Sequence, residues 1–327
     1  MQFWIPRCVL LSIISLIIVL MYTVPIENFL NTSHVTVELN SPPSLSITYQ
    51  QLQANLCGKT YSPANVSDSC PNRTVITMFS GGRTGNQIWE YASIFALGKD
   101  KPHLQPYVPQ CILDTLKDLL DGLTLKSLQN IAHCSFTLQD NWETCPEQSQ
   151  GVLVVPQYHF QKKEVVKWAD DIQRELNLRK PLKDKANNFL KTFGNKTFIS
   201  IHVRRTDYEN YIKRKYNGIL ASKQFYINAM NYYRDKFKNC LFLFISDDPT
   251  WCFKNYSYLK DVYIVGYTKK TTAFEDLALM SACNHSIFDY GTFGWWGAFL
   301  ANGEVVYYNI TQNLYFQQVL PHWIMMN

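Results

Sequence analysis

Short apolar segments recur along the chain, and most are followed by a stretch whose apolar residues have the spacing of a helix. The short segments are rich in β-branched and aromatic residues, which is typical of buried strands. Strands are predicted at 74–79, 152–155, 197–201, 241–245, 262–265, 286–288 and 305–308. Because strands that alternate with helices form parallel sheets, the pattern predicts an α/β fold. A boundary near residues 181–196 divides this fold into two lobes with a cleft between them.

The N-terminus has a different pattern. Residues 8–24 form an apolar run without a charge, and with the apolar residues before it the run approaches the ~20 residues that a helix needs to cross a bilayer. We predict an uncleaved transmembrane signal anchor at 8–24 and a cytoplasmic tail at 1–7, because Arg7 flanks the run. A cleaved signal peptide is the alternative, but no clean small-x-small cleavage site follows. The polar, weakly periodic residues 25–72 are predicted to form a lumenal stem.

Cysteines and glycosylation motifs agree with a lumenal location. Outside the apolar run the number of cysteines is even, which favours disulfide bonds in an exported domain but leaves their pairing open. Cys57 and Cys70 are expected to close a loop near the end of the stem. The motif N-x-S/T marks surface positions in secreted chains. N-glycosylation is predicted at Asn31, Asn65, Asn72, Asn195, Asn255 and Asn309.

Composition and missing motifs exclude several classes of protein. The chain has 327 residues and a net charge of +5, which is too mild and too spread for a nucleic-acid-binding surface, so no nucleic-acid partner is expected. The absence of C-x-x-C, H-E-x-x-H and G-x-S-x-G argues against a zinc ribbon and against the common hydrolase templates. Because no D-x-D triplet offers paired carboxylates to Mg²⁺ or Mn²⁺, we predict no metal site and no cofactor.

The segment from His202 to Tyr208 reads HVRRTDY and directly follows the strand predicted at 197–201. In open α/β sheets, ligands bind beyond the carboxyl ends of the strands. The planar guanidinium fork matches phosphate oxygens two at a time. We therefore predict a pyrophosphate site that includes His202, Arg204 and Arg205. A surface cluster of salt bridges is the alternative interpretation of the arginine pair.

A glycine-rich segment, GGRTGNQ at 81–87, follows the first predicted strand and precedes a predicted helix. Its glycines let the backbone approach a ligand closely, and the N-terminus of a helix directs N–H groups at negative charge. Gly85 and Asn86 are therefore candidate phosphate ligands. The alternative is an ordinary turn in which Asn86 caps the helix.

Two further polar segments follow strands in the second half of the chain. Asp248 and its neighbour Asp247 can accept hydrogen bonds from a nucleobase edge or bind ribose hydroxyls. The alternative is that Ser-Asp-Asp-Pro simply forms a turn and starts a helix. Gly291, Thr292 and Phe293 also begin a predicted helix, where a threonine hydroxyl and backbone N–H groups can reach a phosphate.

These blocks resemble the signature segments of the alpha-1,2-fucosyltransferases. The residues His202-x-Arg204-Arg205-x-Asp207-Tyr208 look like one family signature, and 82–87 resembles the family's G-R-x-G-N-Q loop. The segments 283–286 and 291–296 are similar to its C-terminal block, and 246–252 is similar to a further shared segment. The likeness spans about residues 74–310 in the family's order.

The resemblance implies a fold, a donor and a location. The fold is two facing Rossmann-like lobes of the GT-B type, with the acceptor side and the glycine loop in 73–195 and the GDP-fucose site in 196–327. The reaction is the transfer of L-fucose from GDP-β-L-fucose, with inversion and without metal or cofactor, to the 2-hydroxyl of a β-galactoside. The protein would be a single-pass type II Golgi membrane protein. The alternatives are a core-glycan or protein O-fucosyltransferase and a lumenal protein that binds glycan or nucleotide sugar without turnover.

Glycosyl transfer of this kind builds charge on the departing phosphate, and this suggests roles for the candidate residues. Arg204, assisted by Arg205 and Asn86, is expected to stabilise the departing β-phosphate. His202 and Asp248 are expected to hold the guanosine.

A base for the acceptor hydroxyl would assist an inverting reaction. Asp207 is the candidate because it lies near the arginines in sequence. The alternative is that Asp207 only pairs with Arg204, and Glu209 and Asp289 are weaker candidates.

Overall fold

The computed structural model of the chain describes residues 46–62, 68–137, 151–309 and 320–327. Within these ranges no helix is both long and apolar enough to span a membrane. The predicted anchor at 8–24 and the predicted glycosylation sites Asn31 and Asn65 lie outside them.

Strands and helices alternate along most of the chain, and each strand predicted from the hydrophobic pattern is present. The strands are β1 Ser46–Thr48, β2 Val75–Met78, β3 Gln105–Val108, β4 Leu120–Asp121, β5 Lys126–Ser127, β6 Ser135–Thr137, β7 Val152–Val155, β8 Asn177–Leu178, β9 Thr197–Val203, β10 Cys240–Ser246, β11 Val262–Ile264, β12 His285–Phe288, β13 Val305–Tyr308 and β14 Ile324–Met326. The helices are α1 Tyr49–Cys57, α2 Thr84–Asp100, α3 Gln110–Leu116, α4 Lys162–Lys167, α5 Ala169–Glu175, α6 Lys180–Lys191, α7 Tyr208–Tyr216, α8 Lys223–Lys236, α9 Pro249–Tyr256, α10 Ala273–Ser281 and α11 Thr292–Ala301.

The C-terminal sheet has six parallel strands in the order β11-β10-β9-β12-β13-β14. This is a doubly wound order, in which the chain proceeds outward on both sides of β9, and such sheets bind ligands where the order reverses. His202 is in register with Ile245 of β10 and with Phe288 of β12. The residues that follow these three strands therefore meet at one edge of the sheet.

The N-terminal sheet has four parallel strands in the order β5-β3-β2-β7. All four residues of β2 are buried, as expected for a central strand covered on both faces. A short loop then connects β2 to α2. With two parallel sheets and interleaved helices, the predicted α/β fold is confirmed.

The segment at 46–57 belongs to the N-terminal lobe. β1 pairs antiparallel with β6, and α1 buries Tyr49, Leu52 and Leu56 in the core of the lobe. The stem predicted at 25–72 is therefore too long, because its last part is folded. The helix is only nine residues long, so its sequence pattern is too short to stand out.

Two disulfide bonds lie in the N-terminal lobe. Cys57–Cys111 fastens the segment at 46–57 to the lobe, and Cys70–Cys134 fastens the residues that precede β2. The prediction that Cys57 and Cys70 close a loop with each other is wrong, because each of them forms a disulfide bond with a cysteine far along the chain. Cys240, Cys252 and Cys283 are buried free thiols.

Helix α6 overlaps the region 181–196, where the boundary between the lobes is predicted, and it packs on the C-terminal lobe. The Phe189 ring of α6 lies 5.5 Å from that of Tyr263 in β11, and Lys185 of α6 pairs with Glu275 of α10. The exact residue at which the lobes divide stays a prediction.

The glycosylation motifs differ in accessibility. Asn72 and Asn195 are exposed, whereas Asn255 and Asn309 are half-buried. The Asn255 carboxamide donates a hydrogen bond to the Trp251 carbonyl at 2.7 Å. Glycosylation at these positions stays a prediction.

Candidate active site

The end of β9 and the residues after it form the floor of the site. His202 is the sixth residue of β9 and is 5% exposed. The backbone N–H of Arg204 donates to Asp289 Oδ2 at 2.7 Å, and the Tyr226 hydroxyl donates to the same oxygen at 2.9 Å. Asp289 follows β12, so these bonds fix the carboxyl ends of β9 and β12 against each other and set the position of Arg204.

The Arg204 guanidinium is held by two carboxylates. Its Nη2 lies 2.6 Å from Asp207 Oδ1 and its Nη1 lies 3.0 Å from Asp247 Oδ2. The Arg204 side chain is only 18% exposed, and its charge lies 5.5 Å from the Tyr208 ring centroid. A partly buried cation that is positioned on two sides is well placed to stabilise negative charge on a ligand.

The two neighbouring arginines differ. Arg205 stacks on Trp251, with the guanidinium carbon 3.9 Å from the ring centroid, and its backbone N–H donates to Asp247 Oδ1 at 2.9 Å. Arg204 lines the cavity described below, whereas Arg205 does not. The structure therefore places one of the two predicted phosphate-binding guanidinium groups in the site.

Asp248 caps a helix in the structure. Its Oδ1 accepts from the Trp251 backbone N–H at 3.0 Å at the start of α9, and the side chain does not line the cavity. This geometry is the one expected for the turn-and-helix-start alternative, and the role of Asp248 in holding the guanosine stays a prediction. The neighbouring Asp247 does line the cavity. Its carboxylate pairs with the Arg204 guanidinium and accepts from the Arg205 backbone N–H.

The glycine loop brings α2 against the C-terminal lobe. A Cβ atom on Gly85 would lie 2.7 Å from the Phe293 backbone nitrogen and 2.8 Å from Thr292 Oγ1, so a side chain there would displace the neighbouring helix. The Thr292 hydroxyl donates to Asn86 Oδ1 at 2.7 Å. This hydrogen bond joins two predicted phosphate ligands across the lobes.

Two helix N-termini meet at this point. α2 begins at Thr84 and α11 begins at Thr292, and neither helix has a side-chain cap at its start. Gly291 precedes α11 with φ of 90°, a left-handed conformation that glycine adopts without strain. The uncapped N–H groups and the positive ends of both helix dipoles favour an anion between them.

A cavity of about 710 Å³ opens between the lobes at this junction. The predicted residues that line it are Gly85, Asn86, His202, Arg204, Asp207, Gly291, Thr292 and Phe293. The weaker base candidates do not line it, since Asp289 is buried beneath the floor and Glu209 is exposed on α7.

Asp276 is a site residue that the sequence reasoning missed. It lines the cavity from the first turn of α10, and one carboxylate oxygen is buried without a hydrogen-bond partner. Burial raises the pKa of Asp276, while the nearby His202 acts to lower it. In the sequence, Asp276 follows the capping box of Thr272 and Glu275, so it looks like an ordinary first-turn acid.

Among the residues that the structure describes, Cys70, His133 and Cys134 form the group with metal-ligand spacing. Because Cys70 and Cys134 share a disulfide bond, their sulfurs are not the thiolates that bind metals. None of the three lines the cavity.

The fold and the site together define an α/β protein with a polar cavity between two parallel sheets. The model of glycosyl transferase family 11 matches residues 45–326, and the chain belongs to this family.

The relatives are named for one activity. The chain is 30% identical to galactoside 2-alpha-L-fucosyltransferase SEC1 from Bos taurus over 256 residues, which cover 72% of this chain and 67% of the relative. It is 27% identical to galactoside alpha-(1,2)-fucosyltransferase 2 from Mus musculus over 282 residues, with coverage of 80% and 79%. Among solved structures it is similar to fucosyltransferase NodZ from Bradyrhizobium, at 14% identity, a TM-score of 0.49 and coverage of 74% and 97%.

Proposed function

We propose that the chain is an inverting galactoside alpha-1,2-fucosyltransferase. It would move L-fucose from GDP-β-L-fucose to the 2-hydroxyl of a β-galactoside on glycoprotein or glycolipid glycans. Family membership and the names of the relatives support the activity. The observation that carries the proposal is the Arg204 guanidinium, which faces the same cavity as the uncapped starts of α2 and α11.

The diphosphate of the donor fits this junction. A GT-B arrangement would place it between the lobes, where the N–H groups of Thr292 and Phe293 and the Arg204 side chain can all donate to its oxygens. The cavity volume of about 710 Å³ lies in the range of small-molecule sites.

The part of the cavity wall that carries Asp276 suits a guanine. Guanine carries N–H donors on one edge, and the carboxylate of Asp276 is a pure acceptor when it is ionised. One of its oxygens is buried and has no partner in the protein, so a ligand donor would satisfy it. His202 lines the same cavity, which supports its predicted role in holding the nucleoside.

The chemical step follows from these positions. Fucosyl transfer builds positive charge on the sugar and negative charge on the departing β-phosphate. Arg204 stabilises that phosphate, and Asn86 assists from the opposite lobe. Asp207 lines the cavity and bonds to Arg204, which supports a positioning role and keeps it the candidate base for the acceptor hydroxyl.

The reaction is proposed to need no metal. Asp207 and Asp247 both pair with Arg204, so one oxygen of each carboxylate is already engaged by the guanidinium and is not free to bind a cation. Transfer should therefore persist in EDTA. Complete loss in EDTA that Mn²⁺ restores would overturn this part of the proposal.

The location is also a proposal. The apolar run at 8–24 and the disulfide bonds support a type II Golgi membrane protein whose lobes face the lumen.

The test is incubation of the purified full chain with GDP-fucose and a panel of β-galactosides, core-glycan fragments and peptides, followed by linkage analysis of the product. An α-1,2-linked fucosyl galactoside is expected. Product only on core glycan or peptide would replace the proposed acceptor, and binding of GDP-fucose without any product would identify a non-enzymatic protein.

Replacement of Arg204 tests the mechanism. Arg204→Ala should lower kcat by about 10²–10³, as loss of one charge-stabilising donor does elsewhere. Arg205→Ala is the matched control, because that side chain stacks on Trp251 outside the cavity, and its kcat should fall far less. Equal losses in both variants, or none in Arg204→Ala, would contradict the assignment.

A further inference from the structure

The two lobes contribute different chemistry to the cavity. The C-terminal lobe supplies Arg204 and the carboxylates, whereas the N-terminal wall has polar side chains without charge except for Arg83 at the rim, whose side chain is 77% exposed. A diphosphate suits the first wall. A neutral molecule with many hydroxyl groups suits the second, because each hydroxyl can donate to and accept from uncharged polar groups.

Gln87 is an unsatisfied group on the N-terminal wall. It lies in the first turn of α2 and lines the cavity, and its Oε1 atom is buried without a hydrogen-bond partner. The neighbouring Asn86 differs, because its Oδ1 accepts from Thr292. A buried acceptor without a donor is unfavourable, and a ligand hydroxyl would supply the missing donor.

Thr115 is a second acceptor on the same wall. It lies near the end of α3, and its hydroxyl donates to the Cys111 carbonyl at 3.0 Å. Its hydrogen is therefore used, while its oxygen can still accept a hydrogen bond. The Cys57–Cys111 disulfide bond and the buried side chains of Ile112 and Leu116 hold α3 in place.

We propose that Gln87 and Thr115 form the acceptor-sugar subsite, in which hydroxyl groups of the acceptor galactoside donate to Gln87 Oε1 and Thr115 Oγ1. This inference rests on the proposed function and names the residues that recognise its acceptor. Both acceptors lie on fixed helices, so they select a sugar whose hydroxyls point in matching directions.

The test compares wild type with Gln87→Met, which keeps the length of the side chain and removes the hydrogen-bonding group. Transfer to methyl β-D-galactopyranoside is measured together with the KM of GDP-fucose and with GDP binding by calorimetry. The variant should raise the acceptor KM about 3- to 10-fold, the value of one or two hydrogen bonds, and leave the GDP measurements unchanged. Thr115→Val should behave in the same way.

The 3-, 4- and 6-deoxy galactosides then identify the hydroxyl that is recognised. With one of these analogues, wild type should show a lower kcat/KM than with the parent galactoside. For Gln87→Met, the same analogue and the parent galactoside should give nearly equal kcat/KM, because the variant and the analogue each remove the same hydrogen bond. Gln105→Leu is the matched control, since Gln105 also has a buried Oε1 without a partner but lies outside the cavity. Its acceptor KM should not change.

The outcomes separate this inference from the proposed function. Absence of any fucosyl transfer by wild type would overturn both. Transfer by wild type with an unchanged acceptor KM in Gln87→Met and Thr115→Val would overturn the subsite alone. A change in the GDP-fucose KM or GDP binding would also overturn it, because these residues would then belong to the donor site.

Discussion

Asp289 is a buried carboxylate, 2% exposed, that joins three parts of the site. It accepts from the backbone N–H groups of Arg204 and Tyr290 and from the Tyr226 hydroxyl, at 2.7, 2.7 and 2.9 Å. Because these donors come from different elements, the carboxylate acts as a fixed point between them. We interpret Asp289 as a residue that positions Arg204 through the backbone, and its burial argues against the role of base.

Asp289→Asn should lower both stability and kcat. The amide replaces one acceptor oxygen with a donor. Oδ2 accepts from Arg204 and Tyr226 and Oδ1 accepts from Tyr290, so at least one buried donor loses its partner at a cost of about 1–3 kcal/mol. A neutral amide oxygen is also a weaker acceptor than a carboxylate, so the bond that holds the Arg204 backbone weakens, Arg204 shifts, and kcat should fall about 10-fold or more. Thermal unfolding and single-turnover rates measure the two effects.

Tyr226→Phe is the control for Asp289→Asn. It removes one hydrogen bond to the carboxylate but keeps the bond from the Arg204 N–H. Its stability should fall by about 1 kcal/mol while kcat stays near the wild-type value. If both variants lowered kcat equally, or if folded Asp289→Asn kept full kcat, Asp289 would have no positioning role.

Single residues were the hardest to predict from the sequence. Arg204 and Arg205 are adjacent and chemically identical, and only the position of Trp251 shows which one turns away from the cavity. Asp247 and Asp248 present the same difficulty, because Asp248 is used as a helix cap and Asp247 faces the site. Such choices depend on neighbours from other strands, which the local sequence does not contain.

At the scale of elements, α2 carries a buried acid beneath the glycine loop. Glu90 is fully buried, and one carboxyl oxygen accepts from the Gly81 N–H at 2.9 Å while the other has no partner. Burial raises the pKa of Glu90 to about 9, although the Gly81 hydrogen bond acts to lower it. Glu90 is therefore protonated at neutral pH in the folded protein and ionised in the unfolded chain.

Glu90→Gln should remove a pH dependence of stability. The folded pKa lies above the unfolded value of 4.5, so the contribution of Glu90 is fully present below about pH 4.5 and is lost as the pH rises towards 9. The loss is at most ~1.4 kcal/mol per pH unit. Glutamine keeps an acceptor for the Gly81 N–H and takes up no proton. The free energy of unfolding of the variant, relative to that of wild type, should therefore increase as the pH rises from 6 to 8.5.

Urea unfolding at pH 6 and at pH 8.5 measures this effect. Glu175→Gln is a contrasting control, because the Glu175 carboxylate accepts from both the N–H and the hydroxyl of Thr124 and from the Tyr91 hydroxyl. It should lower stability at both pH values. Parallel pH profiles for wild type and Glu90→Gln would refute the protonated state.

At the scale of the whole molecule, three tryptophans join the lobes. Trp89 of α2 lies with its ring centroid 4.4 Å from that of Trp295 and 4.9 Å from that of Trp296, both in α11. All three are almost fully buried. The same two helices present their N-termini to the cavity, so this packing sets the distance between the two walls of the site.

Trp89→Ala should weaken donor binding as well as stability. Truncation of a buried tryptophan lowers the free energy of unfolding by about 3–5 kcal/mol. Without the Trp89 ring, α2 and α11 would lose the contact that holds their N-termini close together. GDP affinity by calorimetry should fall. Trp168→Ala serves as control, because Trp168 lies between α4 and α5 outside the cavity. It should lower the melting temperature without changing GDP affinity, and equal affinities in all three proteins would contradict the proposal.

The architecture was largely predictable, and its long-range connections were not. β10 is an almost continuous apolar run and β9 is mostly buried, because both faces of a parallel sheet are covered, so the pattern marks both strands clearly. The pairing of Cys57 with Cys111 depends on how α1 packs on α3. Gln87 belongs to the glycine-rich segment at 81–87, but nothing in its sequence context shows that its side-chain Oε1 would be buried without a donor.

The Cys57–Cys111 bond has a consequence for release from a membrane. If a protease cuts the backbone between Cys57 and Cys70, the N-terminal fragment stays covalently attached to α3 through sulfur. With the proposed anchor in that fragment, proteolysis there would not free the enzyme until a reductant opened the bond. Shedding without reduction requires a cut on the N-terminal side of Cys57. A cut before Ser46 would in addition leave β1 and α1 intact in the freed protein.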